Sequence, residues 1–226
     1  GLYLLSTLVA RDLGWLGTLE AIERLEATLE TMNRLALFRG HFYNWYDTRT
    51  LHPLDPKYVS SVDSGNLAGH LVALGNGCRE LIQQSHVDGD LFAGIDDAIA
   101  LLREALADIP DQQETHTVTR KQLSQAVHVL GTSLLSRPVD AAGWTTRFAQ
   151  LSASSHTIAD MAQALAQELE DGPESELRIW ADAARSCVES HLRDMELSLP
   201  WLRLSKKDLA AMFDRSGTPV PEWTTI

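Results

Sequence analysis

The sequence predicts an all-α protein. Apolar residues recur at helical spacing along most of the 226 residues, and no run alternates with the period of two that marks a strand. The balance of 44% hydrophobic to 22% charged residues is that of an ordinary globular chain. Helices following one another without strands fit a toroid of helical hairpins, followed by an amphipathic helical bundle.

Residues 2 to 13 are apolar on nearly every side (Leu2, Leu4, Leu5, Leu8, Val9, Leu13), which predicts a helix buried all round and stopped at Gly14. Gly17-Thr18 opens a second helix, expected over 18–38, with Glu20 and Glu23 near its positive N-terminal end. Its stripe is Ile22, Leu25, Leu29, Met32 and Ala36, and Gly40 is its expected stop after Phe38-Arg39. Residues 41 to 63 break the rhythm: His41 to Asp47 is dense in aromatics, and Pro53 and Pro56 punctuate the stretch after it. Phe42, Trp45 and Tyr46 against Tyr58, Val59 and Val62 predict a short hairpin or an ordered loop. Ser64 is the expected cap of a third helix over 64–84, striped by Leu67, Leu71, Leu74, Cys78 and Leu81. Gly65, Gly69, Gly75 and Gly77 stud it. Each glycine costs a helix about 0.8–1 kcal/mol relative to alanine, so the set predicts close helix–helix approach or backbone beside a ligand.

Beyond residue 86 the helices become longer and acidic outside, expected near 93–108, 117–135, 140–170 and 174–198. Trp144, Phe148, Leu151, Ile158, Leu165 and Leu169 keep a 3.6 period in the third of these. Pro173 suits the first turn of the next helix, Pro200 ends it, and Ser205 with Asp208 resembles a capping box for a last short helix. The expected organisation is 1–86 as helical hairpins carrying an aromatic loop over 39–66, 87–204 as an amphipathic acidic helical region, and 205–226 as a short helix with a Pro-, Gly- and Thr-rich connecting tail.

The formal net charge of −12 is uneven. Residues 1–85 carry 7 basic and 9 acidic side chains, whereas residues 86–226 carry 12 and 22. Such a surface repels nucleic-acid backbones and anionic lipid, so neither is an expected partner. No apolar run approaches the roughly 18 to 20 residues that cross a bilayer, and the apolar opening lacks the basic leader of a signal peptide. The chain is expected to be a soluble piece of a longer protein, because it opens mid-pattern without a Met. Cys78 and Cys187 are expected as reduced, buried thiols.

Chemistry concentrates between Arg39 and Asn66. Aromatic rings stack on the C–H faces of pyranoses, and short polar chains bond hydroxyls in fixed directions. This window offers Phe42, Tyr43, Trp45, Tyr46 and Tyr58 together with Asn44, Asp47, Arg49, Asp63, Ser64 and Asn66. The bland alternative is a loop whose rings are core and whose Asp63 caps a helix. Glycosidic-bond chemistry needs two carboxyl groups, and Asp47 and Asp63 are the pair available here. The eight histidines are scattered, without His-x-His or His-Glu-x-x-His spacing, so no metal site is expected. Gly75-Asn76-Gly77 lacks the Lys-Ser/Thr of a phosphate loop, and no Gly-x-Ser-x-Gly elbow occurs.

The run Arg39-Gly40-His41-Phe42-Tyr43-Asn44-Trp45-Tyr46-Asp47-Thr48-Arg49-Thr50-Leu51, continued by Pro53-Leu54-Asp55-Pro56-Lys57-Tyr58-Val59-Ser60-Ser61-Val62-Asp63-Ser64-Gly65-Asn66-Leu67-Ala68-Gly69-His70, resembles the cyclic β-1,2-glucan synthases. Gly1 to Ser6 and Arg11 to Trp15 fit the same family; beyond about residue 82 the likeness is weak. The resemblance implies an internal piece of a very large bacterial inner-membrane enzyme, with this segment on the cytoplasmic side. In that family one region polymerises glucose from UDP-glucose, a middle region built as an (α/α)6 toroid closes the chain by transglycosylation, and a phosphorylase-like region trims it. The present chain would be the front part of the middle region, an incomplete toroid. The family's catalytic glutamates would lie outside it, so no catalytic residue is expected here, Asp47 and Asp63 remaining the weak candidates. What the resemblance carries over is the loop, with Asn44, Trp45, Tyr46, Asp47, Asp63, Ser64 and Asn66 as glucan-contacting or loop-ordering groups. The expected partners are a β-1,2-glucan chain and the remaining domains of the parent, with no cofactor in this segment. The competing reading is a non-catalytic glucan-binding or purely structural helical module.

Overall fold

The computed structural model describes residues 1–83, 92–110, 116–136, 138, 141–172 and 174–198. Among them are seven helices and one two-residue-per-strand hairpin, so the all-α expectation holds. The expected short helix at Ser205 and Asp208, the roles of Pro173 and Pro200, and the tail fall outside the described residues. Contacts divide the chain into two compact units: Gly1–Asp12 with Thr18–Asp88, and Leu13–Gly17 with Gly89–Ile226.

The first unit holds α1 (Leu2–Asp12), α2 (Thr18–Arg34) and α3 (Ser61–Gln83). α1 packs on both α2 and α3. Its core is Leu4, Leu25 and Leu74, with Leu5, Met32 and Cys78 packed around them. α1 is not buried all round: Leu4, Thr7 and Leu8 face inward, while Leu2 and Val9 are exposed. A helix with two neighbours buries one stripe, and the apolar residues of the other stripe have no cover within the unit. On α2 the buried line runs through Ala21 and Leu25, and Ile22 and Leu29 of the expected stripe are exposed. The glycines of α3 divide. A Cβ at Gly77 would overlap the Leu8 side chain, so this position admits α1 closely. At Gly65 and Gly69 a Cβ would meet nothing within 4 Å.

In the second unit α4 (Ala93–Ala107), α5 (Arg120–Leu134), α6 (Ala141–Glu168) and α7 (Glu176–Ser198) form a four-helix bundle. Each helix packs on two others: α4 on α5 and α7, α6 on α5 and α7. α5 starts at a complete capping box, in which Thr119 and Gln122 bond each other's backbone N–H groups. Its buried residues Leu123, Val127, Leu130 and Leu134 keep the 3–4 spacing of a core stripe. The core is closed by three mutually packed rings, Phe92, Trp144 and Phe148, with centroids 5.7 to 6.0 Å apart. Glu168, at the end of α6, accepts hydrogen bonds from the Thr117 hydroxyl and from the N–H groups of His116 and Thr117. These bonds hold its carboxyl below the usual range.

Residues Leu13–Gly17 pack on this bundle. His191 Nε2 lies 2.8 Å from Gly14 O, the Gly17 N–H donates to Ser190 Oγ at 2.8 Å, and Cys187 Sγ is 3.3 Å from Trp15 O. Trp15 meets Trp180 edge-on at 6.4 Å. Both cysteines are free thiols; Cys187 is buried and Cys78 half-buried.

Candidate functional site

The aromatic segment between α2 and α3 is ordered from both ends. α2 ends at Arg34, four residues before the expected limit, because Leu37–Phe38 (β1) pairs antiparallel with His41–Phe42 (β2). The turn between them is Arg39-Gly40, with φ of 50° and 85°. Two positive φ values make the turn whose twist suits a two-residue hairpin, and glycine adopts one of them freely. Gly40 therefore closes a hairpin rather than ending a helix.

Tyr46 fastens the hairpin to the end of α2. Its hydroxyl donates to Ala36 O at 2.7 Å and accepts the Tyr43 N–H at 2.8 Å. Its ring meets Tyr43 edge-on at 6.2 Å, and Tyr43 in turn packs against Phe38. Tyr46 is a loop-ordering group.

Asp47 organises the next turn. Its Oδ1 accepts the N–H groups of Arg49 at 2.8 Å and Thr50 at 2.9 Å. Its backbone N–H donates to His52 O, its carbonyl accepts the Leu51 N–H, and Tyr46 bridges Pro53. This is an aspartate-nucleated turn. The backbone bonds from Thr50 and then Arg49 hold its carboxyl below the ordinary range. A carboxylate with a lowered folded-state pKa contributes order that is complete above its unfolded value of 3.8 and fades as pH falls through the lower folded value. In a chemical-shift titration Asp47 is expected to titrate below 3.8, and the Arg49 and Thr50 amides to lose exchange protection in that same acid range. In Asp47→Ala these amides are expected to exchange freely already at neutral pH; a midpoint above 3.8 would contradict the turn.

The N-terminus of α3 carries a capping box with an inserted relay. The helix begins at Ser61, three residues before expected, with Ser60 rather than Ser64 as its cap. Ser60 Oγ accepts the Asp63 N–H at 3.1 Å, the first half of a capping box. In the second half Asp63 would accept the Ser60 N–H; here Asn44 stands between them. Asn44 Oδ1 accepts the Ser60 N–H at 3.0 Å, and its Nδ2 donates to Asp63 Oδ2 at 2.9 Å. The Asn44 backbone N–H donates to Tyr58 O at 2.9 Å. Ser64 Oγ donates to Ser60 O and lies 3.2 Å from His41 Nδ1, which ties the hairpin to the same helix end.

Trp45 and Tyr58 lie on the outside of this framework. Their rings stack at 6.1 Å and 27°, and each residue is 54% exposed. The Leu54 N–H bonds Trp45 O at 3.0 Å, holding the Trp45 backbone from the other side. The residues singled out in the sequence thus separate. Asn44, Tyr46, Asp47, Asp63 and Ser64 bond the loop to itself and to α3. Trp45 presents a ring outward, Arg49 is exposed beside the Asp47 turn, and Asn66 is exposed in the first turns of α3. Among the described residues, Asp47 and Asp63 share no hydrogen-bond partner. Tyr58 is one of the rings the sequence offers for stacking, whereas Ser60 is not among the expected site residues; the Ser60-x-x-Asp63 spacing is the signal available for it.

The bundle offers a different concavity. A cavity of about 160 Å³ between α6 and α7 is lined by His156, Asp160, Gln163, Arg178, Asp182 and Arg185. Of these residues, His156 pairs with Glu189 at 2.8 Å and Arg185 with Asp182 at 3.0 Å. Among the described residues no cluster of three potential metal ligands occurs, and no helix is long and apolar enough to cross a membrane.

The helical chain thus carries two outward aromatic rings beside ordered short polar groups. No family model matches it. It is 35% identical over 218 residues, 96% of its length, to the cyclic β-(1,2)-glucan synthase NdvB of Rhizobium meliloti (strain 1021). The chain therefore corresponds to a segment of the cyclic β-(1,2)-glucan synthases, as the loop residues imply. It spans 8% of the length of that relative.

Proposed function

We propose that the chain works as part of a cyclic β-1,2-glucan synthase and supplies glucan contacts to the region that closes the ring by transglycosylation. The observation that carries this reading is the outward Trp45–Tyr58 stack, two exposed rings held by a bonded framework. A pyranose lies flat on such a ring, while neighbouring polar groups bond its hydroxyls. In this reading the partners are a β-1,2-glucan chain and the rest of the parent polypeptide. UDP-glucose is the donor used elsewhere in that parent, which is anchored in the inner membrane with this segment on its cytoplasmic side. α1, α2 and α3 are walls of an (α/α)6 toroid completed by further helices. The uncovered apolar residues Leu2, Val9, Val62 and Val72 support that completion. The segment alone carries no turnover.

One observation favours the non-catalytic alternative, a glucan-binding or structural helical module. Both candidate carboxylates are already bonded to local groups, Asp47 to its own turn and Asp63 to Asn44. The test is the double variant Trp45→Ala/Tyr58→Ala in the whole synthase. Ring closure is expected to fall at least about tenfold, the equivalent of about 1.4 kcal/mol, with linear glucan accumulating and folding unchanged. A folded variant that closes rings at the normal rate sinks the proposal.

A further inference from the structure

Asn44 precedes Trp45 in the chain, yet three of its polar groups bond elsewhere, two to the segment that carries Tyr58 and one to α3. Its backbone N–H bonds Tyr58 O, its Oδ1 takes the Ser60 N–H two residues beyond Tyr58, and its Nδ2 is anchored on Asp63 of α3. We propose that Asn44 is the positioning residue of the aromatic platform: it clamps the Trp45 and Tyr58 segments together and ties both to the N-terminus of α3, so that the two rings stack before any ligand arrives. The proposal deepens the glucan reading, on which only its second readout rests.

The residue type is dictated by the geometry. The position must accept one hydrogen bond from a backbone N–H and donate another to a carboxylate at the same time. Among short side chains, only the amide of asparagine does both from adjacent atoms. Aspartate would keep the acceptor but set a second negative charge against Asp63. Alanine would leave the Ser60 N–H without its side-chain partner at the helix start. Glutamine places the same amide one methylene further out, where it cannot serve both partners from the same backbone position. Preorganisation of this kind changes ligand affinity without contact to the ligand, because the cost of ordering the rings is met during folding.

The chain labelled with 5-fluorotryptophan tests this directly. Its Trp45 resonance in ¹⁹F NMR is identified by its loss in Trp45→Phe. Tyr58→Ala moves that resonance to the position of an unstacked indole. Asn44→Ala and Asn44→Asp are expected to move it the same way, while the other tryptophan resonances stay in place as the internal record of folding. Asp63→Asn, which keeps an acceptor for Asn44 Nδ2, is expected to leave it close to its original position. A folded Asn44→Ala chain with the Trp45 resonance unmoved overturns the proposal. If Asn44→Ala does not fold, Asp63→Ala removes the anchor alone and must shift the resonance, or the proposal fails.

The second readout uses linear β-1,2-glucan in the whole synthase. Asn44→Ala is expected to raise KM about tenfold with kcat little changed, and to have no further effect once Trp45 and Tyr58 are both alanine. Additive losses across that cycle overturn the positioning role. If the Trp45/Tyr58 variant itself leaves glucan handling unchanged while the ¹⁹F shifts occur as stated, the glucan reading fails and the positioning role of Asn44 stands.

Discussion

Phe148→Ala is expected to destabilise the four-helix unit by about 3–5 kcal/mol, the range for removing a large aromatic from a core that cannot collapse around the gap. Phe148 is completely buried and lies 6.0 Å from the rings of both Phe92 and Trp144, so the substitution also breaks two ring contacts. Those rings join the start of α4 to the first turns of α6, and their loss should loosen both ends of the bundle. The measurement is chemical denaturation followed by far-UV circular dichroism, with a fall in melting temperature on the order of 10 °C as the thermal counterpart. Leu197→Ala, at a residue 63% exposed on α7, is the control and should cost less than about 0.5 kcal/mol. A loss for Phe148→Ala no larger than that of the control would mean that the three rings do not form a packed core.

Gly94→Ala should be nearly as damaging, for the opposite reason. A Cβ on Gly94 would collide with the backbone of Gly14 and Trp15. Overpacking of this kind costs about 1–3 kcal/mol, and the upper end applies because the obstacle is main chain, which cannot rotate away as a side chain can. The relief available is for residues Leu13–Gly17 to lift off α4 and α7. That movement would release Cys187, which is 3% exposed beneath the Trp15 carbonyl. Labelling by a thiol reagent, with the site located by mass spectrometry, should therefore accelerate at Cys187 in Gly94→Ala and stay unchanged at Cys78. Unchanged protection of Cys187 in the folded variant would show that the segment does not depend on the missing side chain.

The helices were legible because a packed helix announces itself in its apolar spacing. The stripe from Trp144 to Leu165 becomes the buried line of α6. What failed was local. Leu37 and Phe38 read as the end of a helix because glycine serves equally in a helix stop and a tight hairpin turn, and only pairing with His41 and Phe42 decides between them. Ser64 read as the cap because it stands beside Asp63; the spacing Ser60-x-x-Asp63, visible in the sequence, was the better signal. The burial expected all around α1 failed because apolar spacing reports what a helix can bury, not how many neighbours it has. At the loop, the aromatic and polar composition singles out the stretch that the structure holds as a hydrogen-bonded segment with stacked rings. It did not say which groups face outward. That division depends on Asn44 reaching Ser60 and Asp63, contacts across 16 and 19 positions that no short-range pattern encodes.

The membership of residues Leu13–Gly17 in the second unit has a practical edge. A truncation that begins at Gly89 would look like a clean excision of the bundle, yet it would strip away the peptide that caps Gly94, Cys187, Ser190 and His191. The excised piece would carry a bare notch lined by a thiol, an imidazole and the Trp180 ring. A continuous stretch of chain is therefore not the same thing as a self-sufficient folding unit here, and a short peptide supplied in trans would be the natural complement.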